Sequence, residues 1–222
     1  MARRPKFRQP ETLVPRILSI IVLVPLSLWI VYWGPPYSLF WGGVIAIGLA
    51  IEWSLLCLKN LLPFWSRLAV TILGTLYLIV ASFWLIHLLA QPEGWKFLYW
   101  LLFLVWSTDT AAYIGGRLLK GPKLAPSISP HKTWAGFITG MMGGTGVAYI
   151  TSFWLLPNVF NLGEILFLVC IAQCGDLLES KAKRWSDVKD SSALIPGHGG
   201  LLDRLDSLLA IATTIALWQW FV

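Results

Sequence analysis

The chain has 222 residues and a formal charge of +6, with 57% hydrophobic and only 13% charged residues. Soluble domains carry roughly 25% charged residues, and so much apolar surface cannot be hidden in a water-soluble fold of this size. The composition excludes a soluble globular domain, and the positive balance argues for no nucleic-acid partner until its placement is known.

The N-terminal stretch MARRPKFRQPETLVPR is short and basic, and an apolar run follows it. No small-x-small cleavage site follows that run and further apolar runs begin at once, so the spacing predicts an uncleaved first helix. Seven runs approach the roughly 20 residues that cross a bilayer: 16–33, 38–58, 67–90, 96–118, 134–156, 162–180 and 203–222. Pro25 falls inside the first and is tolerated there as a kink. Trp33, Trp65, Trp95, Trp134, Trp154, Trp218 and Trp220 fall near run ends, as in an interfacial belt. The expected fold is all-α, one polytopic membrane bundle over residues 1–222 with about seven transmembrane helices.

Charge placement sets an expected orientation. Of the 17 lysines and arginines, all but Lys96 fall on alternate inter-run segments: Arg3 to Arg16, Lys59 and Arg67, Arg117 to Lys132, and Lys181 to Arg204. The positive-inside rule puts those segments and the N-terminus in the cytoplasm and the C-terminus outside. Six or eight spans would scramble the alternation.

Smaller features read as packing. Gly136, Gly140 and Gly144 lie four apart on one face of the fifth run, a spacing that suits close helix contact. Pro122, Pro126 and Pro130 make residues 120–132 an extended loop rather than a continuing helix. Cys57, Cys170 and Cys174 sit in apolar runs without a completing metal set, so they read as small packing residues.

The stretch 175–207 differs from the rest. It gathers Lys181, Lys183, Arg184, Lys189 and Arg204 with Asp187, Asp190, Asp203 and Asp206 around the turn Pro196-Gly197-His198-Gly199-Gly200. Cations, carboxylates and small residues that expose backbone N–H groups are what polyphosphate chemistry needs. Asp176, Glu179 and Lys183 share a helical face, as do Asp203 and Asp206. Spacing leaves two readings open: a clamp for one or two hard cations, or interfacial salt bridges. The glycine turn lacks the Gly-Lys-Ser/Thr of a Walker loop, but it precedes a helix start, whose free N–H groups favour anions. Lys132 is a second cation at a helix start. Glu52 and Asp109 are carboxylates within spans, where charge is costly and points to function by default. Glu52 is expected to hydrogen-bond within the bundle, away from the site.

Ser180 to Asp206, with Lys183-Arg184, Lys189-Asp190, Pro196, His198-Gly199-Gly200 and Asp203-Arg204-x-Asp206, resembles the signature of the phosphatidate cytidylyltransferases (CDP-diacylglycerol synthases). Residues 109–116 (DTAAYIGG), 129–136 (SPHKTWAG) and 174–180 (CGDLLES) are similar to that family too. The likeness covers residues 105–207 and departs from the pattern at Ala135 and Ala182. It implies a catalytic half at 96–222 behind N-terminal spans at 1–95, and a reaction of CTP with phosphatidate at the cytoplasmic face. It implies Mg²⁺, with or without a second ion, at Asp176, Asp203 and Asp206. Asp176, Asp203, Lys183 and Arg184 are then the catalytic set, and Lys132, Lys189, His198, Gly199, Gly200, Arg204 and Asp109 the substrate contacts. The expected partners are CTP, phosphatidate and membrane lipids, with a second copy of the chain left open and nucleic acid excluded. The expected location is the bacterial inner membrane. Two rivals remain: a CTP-dependent lipid-alcohol (polyprenol) kinase, and a transporter, against which the charges gather at one face rather than along a midplane route.

Overall fold

The computed structural model describes residues 13–156, 159–192, 194 and 199–221. The basic residues before Arg16 and the Pro196-Gly197-His198 part of the glycine turn lie outside them. Among the described residues seven helices form: α1 (Leu13–Tyr32), α2 (Tyr37–Lys59), α3 (Phe64–Ala90), α4 (Gly94–Leu118), α5 (Trp134–Leu155), α6 (Leu162–Trp185) and α7 (Leu202–Phe221). Each lies on one of the seven apolar runs, because a helix satisfies its own backbone without help from solvent. Three of them, α2, α3 and α4, are each long and apolar enough to cross a membrane on their own. Phe40, Trp65, Leu73, Phe83, Met142 and Trp154 remain exposed, an outer surface suited to lipid rather than water.

Residues 120–132 correct the expected loop and the strictly all-α reading. β1 (Lys123–Ala125) and β2 (Ser129–Thr133) pair as an antiparallel hairpin, with Lys123 opposite Thr133 and Ala125 opposite Ser129. Thr133 then caps α5, its Oγ1 accepting from Gly136 N at 3.1 Å. Asn161 and Glu164 form a reciprocal capping box at the start of α6. That helix runs beyond the apolar stretch to Trp185, and Lys183 and Arg184 in its last turn suit the negative end of its dipole.

The core lies between α4, α6 and α7. Trp100, Leu101 and Leu104 meet Ile165 and Val169, with Leu209, Ile211 and Ala212, all buried. The Trp100 indole donates to the Ala148 carbonyl at 2.8 Å, which removes the cost of burying its N–H. The glycine face of α5 lies on α4, as the spacing predicts. A Cβ at Gly136 would come within 2.8 Å of the Ala112 carbonyl, and one at Gly144 would collide with Thr108 Oγ1.

Contacts between connections show which helix ends lie together. At one end, Leu61 N donates to the Trp185 carbonyl (2.9 Å), Ser186 Oγ to the Leu56 carbonyl (3.0 Å) and Arg184 Nε to the Ile128 carbonyl (3.1 Å). This gathers the α2–α3 turn, the hairpin and the α6–α7 loop, the segments that carry the cations. At the other end Tyr32 packs against Trp95, Ser38 Oγ donates to the Leu89 carbonyl (3.3 Å), and Trp84 Nε1 to Gln219 Oε1 (2.8 Å).

Candidate active site

The basic end holds a cluster of five carboxylates and two lysines. α6 supplies Asp176, Glu179 and Lys183 from one face, because their spacings of three and four stack them along it. The first two turns of α7 supply Asp203 and Asp206, α4 supplies Asp109, and β2 supplies Lys132. One carboxylate oxygen from each of Asp176, Glu179 and Asp206 lies within 4.8 Å of the other two. Asp109 is within electrostatic reach of Asp176 and Lys132, and Asp206 of Asp176, Asp109 and Lys183.

The two lysines divide the acids between them. Lys132 Nζ lies 2.5 Å from Asp176 Oδ2. Lys183, 12% exposed, sits between Glu179 Oε2 at 2.6 Å and Asp203 Oδ1 at 2.8 Å. Both readings left open by spacing are thus partly realised: salt bridges are present, and carboxylates converge beside them. Asp176, Glu179 and Asp206 crowd their carboxylates together in a half-buried place, a placement that a divalent cation would offset. Glu179 Oε1 is buried and has no hydrogen-bond partner among the described residues. An orphaned carboxylate oxygen beside two others is a donor set suited to a hard cation such as Mg²⁺.

The resemblance implies a metal set of Asp176, Asp203 and Asp206; among the described residues the carboxylates that converge are those of Asp176, Glu179 and Asp206. Asp203 faces the loop before α7. Its Oδ2 accepts from Ser191 N (2.9 Å) and Gly200 N (2.8 Å), and it joins the trio through Lys183. Glu179 was visible in the sequence as a neighbour on the Asp176 face, but nothing local told that α7 brings both Asp203 and Asp206 to it.

The start of α7 also differs from the expected anion cradle. The amides of Leu201 and Leu202 donate to Glu52, both at 2.8 Å, and that of Gly200 to Asp203. Gly199 has φ +89°, the left-handed region, and a Cβ on Gly200 would collide with Ser191 Oγ. These glycines bring backbone against carboxylates. Arg184 is exposed and donates to the carbonyls of Ile128 and Val188, tying hairpin to loop, so its position is that of a brace rather than a member of the acid cluster. Lys189 and Arg204 are exposed nearby on the same end. His198 lies outside the described residues. Tyr77 of α3, unremarked in the sequence, approaches the Asp206 carbonyl with its hydroxyl at 3.4 Å.

Fold and site together define a helical membrane protein with an acid-and-lysine cluster at its basic end. Residues 23–222 match the model of the cytidylyltransferase family, and the chain belongs to that family. It is 36% identical to a phosphatidate cytidylyltransferase of Rickettsia felis, over 94% of this chain and 92% of the relative. It is 37% identical to one of Rickettsia conorii, over 96% and 93%, and 36% identical to one of Brucella melitensis, over 94% and 93%.

Proposed function

We propose that the chain is a phosphatidate cytidylyltransferase, which makes CDP-diacylglycerol and pyrophosphate from CTP and phosphatidate. The observation that carries this reading is likeness over more than nine-tenths of both chains to relatives of that name. In the reaction a phosphate oxygen of the lipid forms a bond to the α-phosphorus of CTP. The bond from that phosphorus to the α,β-bridging oxygen breaks, and its electron pair leaves with pyrophosphate. A phosphate dianion attacks without a base, so the protein's task is to align two polyanions and neutralise charge.

Asp176, Glu179 and Asp206 would hold Mg²⁺, with Asp203 behind them through Lys183. When bound, the ion supplies charge neutralisation at the phosphates. Lys132 pairs with Asp176, and Lys183 with Glu179 and Asp203; with Asp176 on a metal the Lys132 ammonium would be available to phosphate oxygens, while Lys183, held by Asp203, would face them from beside the trio. Lys189 and Arg204 add positive character on the same end for the triphosphate, and His198 is a further phosphate contact that the resemblance implies. The seven helices are taken as seven spans with this end in the cytoplasm, where CTP is available, in a bacterial inner membrane.

Label position tests the reading. Purified protein given phosphatidate and α-labelled CTP moves the label into organic-soluble lipid. With γ-labelled CTP it releases labelled pyrophosphate and leaves the lipid cold. A lipid kinase gives the reverse, and label in lipid only from the γ-position would sink the proposal. A transporter labels no lipid from either.

A further inference from the structure

Glu52 belongs to α2, in the half of the chain that carries none of the acid cluster. It is 2% exposed, and an apolar bundle tolerates such a carboxylate only if its oxygens are hydrogen-bonded. Four donors meet them. Oε1 accepts from Ser192 Oγ (2.6 Å) and Leu201 N (2.8 Å). Oε2 accepts from Leu202 N (2.8 Å) and lies 3.0 Å from Ser191 Oγ. The donors come in pairs from opposite ends of one loop, Ser191-Ser192 where it leaves the α6 side and Leu201-Leu202 where α7 begins. One side chain therefore closes the loop on itself and holds it to α2.

The same knot reaches the acid cluster. Ser191 Oγ is 3.2 Å from Asp203 Oδ2 as well as 3.0 Å from Glu52, so its single proton serves one carboxylate at a time. The Ser191 and Gly200 amides both donate to Asp203, which pairs with Lys183, which pairs with Glu179. Gly200 is part of this fit. A Cβ there would collide with Ser191 Oγ and come within 2.6 and 2.8 Å of the two Glu52 oxygens. The clamp has room for glycine alone.

We infer that Glu52 is a positioning residue for the transfer site: by pinning both ends of the loop 191–202 to α2, it fixes Asp203 and Lys183 against the Asp176, Glu179, Asp206 trio. The inference rests on the cytidylyltransferase reading for its kinetic consequence, but the clamp itself is independent of it. In Glu52→Gln one oxygen becomes an NH₂ donor, which leaves a backbone amide of Leu201 or Leu202 facing another donor.

The test uses purified full-length protein in detergent, with two readouts. Hydrogen exchange at the Leu201 and Leu202 amides reports the clamp without any activity. Lipid labelling from α-labelled CTP over a Mg²⁺ titration reports the site. For Glu52→Gln, exchange at both amides should quicken. The kcat should fall about 10-fold or more and half-saturating Mg²⁺ rise, the usual scale for losing a group that orients ligands, with the KM for phosphatidate little changed. A merely structural role lowers thermal stability and leaves the Mg²⁺ dependence of the folded protein unmoved. Wild-type exchange at both amides, or a wild-type Mg²⁺ curve and kcat, overturns the inference. If Glu52→Gln does not insert, Ser192→Ala removes one donor from the loop side and should give the same pattern at smaller amplitude; wild-type behaviour there overturns it equally. Should the wild-type protein label no lipid, the function proposed above fails, while the exchange data still decide the clamp.

Discussion

At the scale of single residues, Lys183 has the most to lose. It is a cation set between Glu179 and Asp203, and all three side chains are largely buried. Lys183→Met leaves two carboxylates facing each other without it, and breaking a buried pair from one side costs about 3–5 kcal/mol. Thermal unfolding in detergent should show that loss alongside lost lipid labelling; an unchanged midpoint would mean the acids relax into water. For the trio, Asp176→Asn and Glu179→Gln should each insert normally and lose nearly all turnover, because an amide keeps the shape but not the charge a divalent ion needs. Asp203→Asn should also lose turnover, through the release of Lys183 rather than of the ion. A Mg²⁺ titration separates the cases: high Mg²⁺ partly rescues Glu179→Gln, and near-normal activity in Asp176→Asn would make the cluster a salt-bridge network only. Asp176, Asp203, Asp206 and Lys183 were legible in the sequence because helical spacing puts acids and cation on shared faces. Glu52 was legible as an expensive carboxylate that hydrogen-bonds within the bundle, but was expected away from the site, whereas its partners lead to Asp203. Its partners lie 139 to 150 residues away, and no local pattern encodes that distance.

At the scale of elements, the contact between α4 and α5 sets where Asp109 stands relative to Asp176 and Lys132. It depends on small residues that let two backbones approach. Gly144 is buried with Thr108 Oγ1 where a Cβ would go, whereas Gly146, on the same helix, has nothing within 4 Å of that position. Gly144→Ala should cost about 1–3 kcal/mol by overpacking. Gly146→Ala should be neutral or stabilise by up to about 1 kcal/mol, since alanine is the better helix former. Thermal unfolding of the pair checks this, and equal behaviour would place α5 differently on α4. The helices themselves were readable because each must be apolar along its length and backbone-satisfied, a signal spread over twenty residues. The hairpin was not. A five-residue strand reading Ser-Pro-His-Lys-Thr carries a proline and no apolar alternation, and its pairing is set by the neighbouring chain. Proline spacing correctly excluded helix there but had no means to distinguish a loop from a short ladder.

At the scale of the whole molecule, two independent observations bear on how the protein sits in a membrane. All the cations but Lys96 fall at the N-terminus and on the even-numbered connections between the seven apolar runs. Separately, side-chain contacts join the α2–α3 turn, the hairpin and the α6–α7 loop at one end, and bring Gln219 near the end of α7 to Trp84 towards the other. The positive-inside bias acts on charges close to span ends, which is where Lys59, Arg67, Arg117 and Lys132 lie. Among the described residues, α2, α3 and α4 are the helices long and apolar enough to be spans by themselves. The site helices α6 and α7 carry the acid cluster, and they pack against α4 and each other. The expected arrangement puts the acid cluster and the N-terminus in the cytoplasm and the C-terminus outside. A reporter active only in the cytoplasm, fused after Val222, should be silent. In a background with Cys57, Cys170 and Cys174 replaced, Gln91→Cys in the α3–α4 turn should react with a membrane-impermeant thiol reagent on intact cells. Lys120→Cys before the hairpin should react only after the membrane is opened. Cytoplasmic reporter activity at the C-terminus, with Lys120→Cys still protected, would mean that one of the seven helices does not cross.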